Sequence, residues 1–550
     1  MSHPLDDPLY YLDNFRTLLQ WVAQRYDDML DAQERTLLHR IHALPEGATA
    51  LLARVVMRKG ELFRRSALNY PEIEALEHGP NALMLLSEAG LVNLSPRLPL
   101  EALFKLLRKA ELEPIFGKPD RSLRKQQWHD ELAEQPWPPR TLQEWAPQLN
   151  ECGIELLFPD LYERLRLMFF GNLRQDFSDF VLADLGVFCF EPVPIDAQSR
   201  GFQCRQDIDD YLRIHHQREA LERDGSGALD SEDAAALIAY QCANEWIEQR
   251  RQRWLLKAAE VLQKEGESER SLGLYALCRE PSARVKQVRL LERTGAVEHA
   301  WQLAEKARHA PGNSEEEQQI ARILPRLERK LGKPKTAVPA SASIDHFCLE
   351  VERAPSVEIA AAEALASDQA PVFYVENALI NALFGLLCWE AIFAPLSGAF
   401  FHPFHRGPAD LLRSDFVERR RVLFERCLGY IEDGSYQQRI LERFRIKQGI
   451  QSPFVMWGKI DEALLQLALH SIPAQHLRHW CEWLMRDIKR NRAGFADLVQ
   501  FYPDQKRYRM IEVKGPGDRL QDNQKRMMAF CHAHDLPIAV CWVSWREERV

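Results

Sequence analysis

The chain has 550 residues with 71 Lys plus Arg against 80 Asp plus Glu, a formal charge of −9, and it is 46% hydrophobic. That is the composition of an ordinary soluble globular protein, and at roughly 150 residues per domain the length predicts three or four domains, each with a core of its own. The mild acidity excludes binding of polyanions by bulk charge, so any contact with nucleic acid must be local.

The N-terminus, MSHPLDDPLYYLDNF, is acidic and aromatic and does not read as a signal peptide. Residues 1–66 carry amphipathic helices, with Phe15, Leu18, Leu19 and Val22 at helical spacing and a second run through Leu51, Leu52, Val55 and Val56. The helical pattern continues through 67–165, broken by Pro96, Pro99, Gly117, Pro119 and the PWPP run at 136–139. Inside it, 100–108 reads as a helix, 113–120 as a turn and 121–132 as a helix. Residues 166–335 are again helical, and Leu262, Gly266 and Leu274 recur 29 residues later as Leu291, Gly295 and Leu303, a hint of stacked helix pairs of the TPR-like kind. A Pro/Ala/Ser-rich stretch makes 336–344 a linker and starts the last module at 345.

In 345–550 the longest apolar run of the chain, 378–393, holds Asn381 and Glu390 and is too short to span a bilayer, so it reads as a buried core helix. No membrane segment is expected. The eleven cysteines stand apart without zinc spacing, which favours a reducing, cytoplasmic compartment. Only the end of this module changes class: 498–502 and 507–514 are short strands around PDQK, 519–534 is helical and 538–545 is a strand, an α/β core.

Strand alternation in RYRMIEVKGPGDRL puts Tyr508, Met510, Glu512 and Lys514 on one face. A carboxylate beside an ammonium is equally the signature of a surface ion pair. The hairpin adds more: a four-residue loop at 503–506 pairs Tyr502 with Arg507 and sets Asp497 opposite Glu512. Two carboxylates about 5 Å apart on a half-buried face are tolerated mainly when a divalent cation neutralises them, and oxygen ligands favour Mg²⁺ or Mn²⁺. With Lys514 alongside, the set suits hydrolysis of a phosphodiester. The literal Pro503-Asp504 pair lies in the loop, roughly 25 Å from Glu512 at about 3.3 Å per residue, too far to share an ion with it.

Asp497 followed by Glu512-Val513-Lys514 resembles the core of PD-(D/E)XK nucleases, and GFADLVQFYPDQKRYRMIEVKGPGDRLQDNQKRM resembles the VRR-type (viral replication and repair) nuclease domain of the Fanconi-associated nuclease family. FYVENALINALFGLLCWEAIF at 373–393, SPFVMWG at 452–458 and FFGNLRQDFSDFVLADLG at 169–186 extend the resemblance, to the bacterial form of that family, over most of the chain. It implies a structure-selective nuclease cutting double-stranded DNA near 5′ flaps in interstrand crosslink repair, with 5′→3′ exonuclease activity. It also implies that metal is held by Asp497, Glu512, the Val513 carbonyl and a glutamate on a preceding helix matching Glu376, with Lys514 as the catalytic lysine. Where the family has proline before the first aspartate this chain has Ala496, which is expected to alter how the chain enters the strand and not the chemistry.

Away from the resemblance, Glu376 is also explained as a favourable carboxylate at a helix N-terminus, and Gln524, resembling a site glutamine of related nucleases, as a surface residue. His402 and His405 lack further ligands of zinc type and read as a satisfied loop. Arg419, Arg420 and Arg421 read as a solvated helix face. From 97 to 130 there are eight Lys or Arg against five Asp or Glu. Lys105, Arg108, Lys118, Arg121, Arg124 and Lys125 there, a solvated face on composition alone, resemble the phosphate-contacting side of the family's SAP-like DNA-binding module. The reading is therefore a mainly α multi-domain chain: N-terminal helices at 1–66, a SAP-like domain at 67–165, repeats at 166–335, a linker, and a nuclease domain at 345–550. A junction-resolving or restriction-type nuclease of the same core, or a scaffold with an inactive nuclease module, are the alternatives.

Overall fold

Leu12, Phe15, Leu18, Leu19 and Val22 line one side of the helix Tyr10–Tyr26 and are all buried, because a 3.6-residue period stacks them over one another. The computed structural model describes residues 8–74, 81–119, 123–175, 188–334 and 344–546. The chain divides into two compact units, Met1–Cys189 and Phe190–Val550. Arg121, residues 336–343 of the linker and residues 176–186 fall outside the described residues.

The first unit is helical but also holds a small antiparallel sheet, absent from the helical reading of this region. Its strands are β1 (Leu62–Arg64), β2 (Val92–Asn93) and β3 (Gly153–Leu156), in the order β1-β3-β2. Strands this short carry no readable period. The expected turn at 113–120 is partly helix, since Lys109–Phe116 is helical despite Pro114. Glu111 explains it: its carboxylate accepts from the Arg108 amide at 2.7 Å at the helix start, and the Arg64 guanidinium beside it holds its carboxyl down at about 2. Leu103, Phe104, Leu112, Trp128 and Trp145 close a separate core around these helices, so Trp128 is a packing residue.

In the second unit the helices Glu245–Glu265, Ser268–Leu277, Pro281–Arg293, Val297–His309 and Ser314–Leu331 follow one another with short turns. Gly266 and Gly295, the glycines of the 29-residue offset, end helices with φ of +92° and +88°, a conformation that disfavours a side chain. Beyond them comes a five-stranded mixed sheet of β4 (Asp345–Val351), β5 (Val372–Tyr374), β6 (Leu498–Tyr502), β7 (Arg507–Lys514) and β8 (Ile538–Trp545), in the order β4-β8-β7-β6-β5. β6 and β7 form an antiparallel hairpin, while β7 and β8 are parallel and joined through the helix Asp522–Ala533, as parallel neighbours require a crossover. One face of the sheet, with Val499, Phe501, Tyr508 and Met510, packs on the apolar helix Leu379–Leu387 and on Asp522–Ala533; the other, with Leu498, Ile511 and Val513, packs on Val357–Leu365. No helix among the described residues is long and apolar enough to cross a membrane.

The arginine run is not a uniform solvated face. Arg421 is exposed and paired with Glu418, but Arg420 is buried, with two bonds to the equally buried Asp410 at 2.8 and 2.9 Å, and Arg419 reaches the same carboxylate. Removing one partner of a buried ion pair leaves the other charge uncompensated. Asp410→Ala is therefore expected to destabilise the second unit by about 3–5 kcal/mol, read by urea denaturation; a loss no larger than that of an exposed pair would mean that Arg420 can reach water.

Candidate active site

The hairpin positions the site. Tyr502 pairs with Arg507 and Leu498 with Ile511, and the turn Pro503–Gln505 is closed by Lys506 in the left-handed region at φ 47°. Asp497, one residue before β6, thus stands opposite Glu512, and its Oδ2 accepts from the Val513 amide at 2.8 Å. Asp504 lies in the turn, at the other end of the hairpin. On the other side of Asp497, its carbonyl accepts from the Val375 amide at 2.9 Å, continuing the pairing of Tyr374 with Leu498 beyond β5. The approach to β6 is tight: Gly494 has φ +90°, and a side chain there would begin 2.5 Å from the Asn523 amide nitrogen. That closeness sets the N-terminal turn of the helix Asp522–Ala533 against the strand.

Glu512 is fully buried. Its Oε1 takes the Lys514 ammonium at 2.7 Å and the side-chain amide of Gln524, while Gln524 itself accepts from the Gln521 amide at 2.8 Å. Its Oε2 is buried with no hydrogen-bond partner in the protein. The structure thus brings Asp497, Glu512, Val513, Lys514 and Gln524 together, and Gln524 faces inward. Burial first, then the negative charge of Asp497, pushes the Glu512 carboxyl up to about 7, against the pull of Lys514. Burial likewise raises Asp497 to about 6, opposed by the Val513 amide and Lys514 and reinforced by the charges of Glu358 and Glu376.

Glu376 is placed differently from the expectation of a helical residue. It stands in the turn between β5 and the helix Leu379–Leu387, because Asn377 takes a left-handed φ of 54° there. Its carboxylate accepts from the Tyr374 hydroxyl at 2.7 Å and from the Asn377 side chain at 3.3 Å. Asn377 in turn accepts from the Phe495 amide at 3.1 Å, tying this turn to the approach of β6. Among the described residues no three His, Cys, Asp or Glu side chains stand together as a ready ligand set, so Glu376 flanks the Asp497–Glu512 pair without closing on it. Sequence reasoning missed Tyr374, Asn377 and the nearby Glu358; a tyrosine two residues before a glutamate carries no signal until the strand's end is known.

The donor set nonetheless fits a hard divalent cation. A fully buried carboxylate beside a half-buried one, one oxygen without a partner and only oxygen donors form a site whose repulsion such an ion would relieve. His402 and His405 offer nothing comparable: their rings lie tilted against each other with centroids 4.2 Å apart, each accepts from a backbone amide, and burial lowers both, His405 to about 4.

In the first unit Lys105, Arg108, Lys118 and Arg124 are exposed. Lys105 is paired with Glu101 at 2.7 Å. Lys125 is half-buried, and its ammonium donates to the Leu107 carbonyl at 2.7 Å, a tie between the two helices of this region.

Three family matches cover much of the chain: the VRR-NUC domain at residues 431–545, the FAN1 HTH domain at 9–93 and the Fanconi anemia-associated nuclease SAP domain at 97–145. The chain is 48% identical to a Fanconi-associated nuclease 1 homolog of Pseudomonas aeruginosa, over 99% of this chain and 97% of that protein. Fanconi-associated nuclease 1 of Homo sapiens is 24% identical over 97% of this chain, which spans 62% of the human protein's length. A crystal structure of paFAN1 bound to 2-nucleotide 5′ flap DNA with a gap is similar with a TM-score of 0.87 and 47% identity, covering 98% of this chain and 99% of that one.

The raised carboxyls have a consequence for the metal-free protein. Folded Asp497 and Glu512 hold protons up to about pH 6 and 7, whereas unfolded carboxyls release them near pH 4. The folded chain binds more protons across that window, so this contribution to stability is full below about pH 4 and is lost as pH rises to about 7. Glu512→Gln removes the buried charge while keeping the shape. Without metal, the variant should melt above the parent at pH 8, with the gap shrinking at pH 5; equal melting points at pH 8 would mean that the charge is not held at a cost.

Proposed function

The chain belongs to the Fanconi-associated nuclease family, and from that premise we propose that it cuts branched double-stranded DNA beside 5′ flaps, in the repair of interstrand crosslinks. The observation that carries this reading is the pairing of half-buried Asp497 with fully buried Glu512, with Lys514 at one Glu512 oxygen and the other oxygen without a protein partner. The likeness to a protein crystallised on flap DNA supports the choice of substrate. Hydrolysis of a phosphodiester follows from nuclease membership; flap endonuclease and 5′→3′ exonuclease activities are the finer proposal, with the cytoplasm, at the nucleoid, as the place of action.

Nucleases with a VRR-NUC domain are typically metal-dependent. In this chain Asp497, Glu512, the Val513 carbonyl and Glu376 would hold Mg²⁺ or Mn²⁺. A divalent ion there supplies Lewis acidity toward the scissile phosphate and lowers the cost of making hydroxide from water. The protein's own groups do the rest. The Val513 amide locks Asp497, and Gln524 and Lys514 together hold Glu512 Oε1, leaving Oε2 open. Lys514, 8% exposed, would put the positive charge of its ammonium beside the reacting phosphate, orient the attacking water and ease the loss of that water's proton to solvent by stabilising the hydroxide left behind. In-line attack then leaves a 5′-phosphate and a 3′-hydroxyl.

Duplex DNA would be held by the exposed cations of the SAP-like region, Arg108, Lys118 and Arg124 foremost, since Lys125 already serves its own fold. The helical repeats at 166–335 would link that region to the nuclease domain at 345–550.

A panel of end-labelled flap, nicked and four-way-junction duplexes with Mn²⁺ tests the reading. Cuts should map beside the 5′ flap and disappear in EDTA; equal cutting of all substrates, or cutting in EDTA, would contradict it. Charge reversal of Arg108, Lys118 and Arg124 together should weaken binding to duplex DNA in EDTA and reduce the salt slope by about 3, one per lost phosphate contact. An unchanged slope would return these residues to a solvated face.

A further inference from the structure

The carboxylates of the site are held by different means. Asp497 is fixed by a backbone amide of the neighbouring strand and Glu512 by an ammonium and an amide. Glu376 is in a turn, and its orientation depends on two neutral donors. The Asn377 bond is long, at 3.3 Å, whereas the Tyr374 hydroxyl donates to Oε2 at 2.7 Å, the length of a strong hydroxyl-to-carboxylate bond.

Packing does not explain a tyrosine at 374. Its ring is 42% exposed, while the preceding Phe373 makes the aromatic contact with Phe501. The strand does explain its reach. Tyr374 pairs with Leu498, and the next amide, of Val375, bonds the Asp497 carbonyl, so the phenol stands on the strand directly joined to the one that carries Asp497. The Lys459 ammonium lies 5.4 Å from its ring centroid and favours that placement of the ring.

Resting on the reading of Glu376 as a metal ligand, we propose that Tyr374 is a positioning residue, whose hydroxyl fixes the Glu376 carboxylate on the flank of the Asp497–Glu512 pair before the cation arrives. A carboxylate oxygen that accepts one hydrogen bond keeps a second lone pair for an ion. A glutamate already held in one orientation loses less side-chain freedom when it binds. Partners of metal ligands commonly set affinity in this way. Glu376 directly follows Val375, whose amide bonds the Asp497 carbonyl at 2.9 Å, so it leaves the chain beside Asp497.

Tyr374→Phe removes one oxygen and leaves the strand and ring in place. The full chain, free of DNA, is titrated with Mn²⁺ and free ion is followed by electron paramagnetic resonance, with Glu376→Gln in parallel and thermal melting as a fold control. The expected result is a Kd for Mn²⁺ raised about tenfold in Tyr374→Phe and at least as much in Glu376→Gln, with an unchanged melting point for Tyr374→Phe. Flap cleavage by Tyr374→Phe should then return to near the parental rate at saturating Mn²⁺. Parental Mn²⁺ affinity in Tyr374→Phe beside weakened affinity in Glu376→Gln would overturn the positioning role alone. Parental affinity in Glu376→Gln would overturn the ligand reading, and this inference with it.

Discussion

Pairing of Tyr502 with Arg507 across a tight turn decides where Asp497, Glu512 and Lys514 stand relative to one another. From that one register Asp497 comes opposite Glu512, and Lys514 follows two residues on, on the same face. A slip by one residue would send Glu512 to the side packed by Val357–Leu365, where Ile511 and Val513 now lie in an apolar core. The register is held from both sides: apolar residues alternate to opposite faces of β6 and β7, and each face has its own helices to bury them. The geometry of the candidate site is in this sense a by-product of where the hydrophobic residues must go.

Once placed, the carboxylates are held against their own preference. Burial and mutual repulsion raise Asp497 and Glu512 by more than the Val513 amide and the Lys514 ammonium lower them. The remaining imbalance is what a divalent cation can remove, and the partnerless Glu512 oxygen is an acceptor that the protein itself does not satisfy. Compare Arg420 and Asp410, a buried pair in the same unit that satisfies itself with two good bonds. There both carboxylate oxygens are taken by a guanidinium, whereas at Glu512 only Oε1 has partners.

The parts legible in the sequence were those governed by local arithmetic. A four-residue loop fixed the β6–β7 register, which the structure reproduces, and a 29-residue offset marked two helix-ending glycines. The long-range parts were not legible. β4 alternates Phe347, Leu349 and Val351 with exposed residues, but its partner is β8, near the other end of the module, and nothing local reports a parallel neighbour. β5 has three residues and is a strand only because β6 lies beside it. For the same reason Glu376 read as a helical residue: the left-handed Asn377 that makes a turn of it accepts from the amide of Phe495, distant in sequence. Lys125 and Arg420 looked like surface cations because burial of a long side chain depends on carbonyls and carboxylates supplied from elsewhere.

Metal-dependent cleavage at this site requires that Asp497, and not Asp504, stand beside the Glu512 carboxylate. Single-turnover cleavage of a 5′-flap duplex by Asp497→Asn and Asp504→Asn, across a range of Mn²⁺ concentrations, asks this directly. With Asp497 opposite Glu512 and Asp504 at the far end of the hairpin, Asp497→Asn should lose metal-dependent cleavage and Asp504→Asn should cut like the parent. Loss of cleavage in Asp504→Asn with retention in Asp497→Asn would contradict the account.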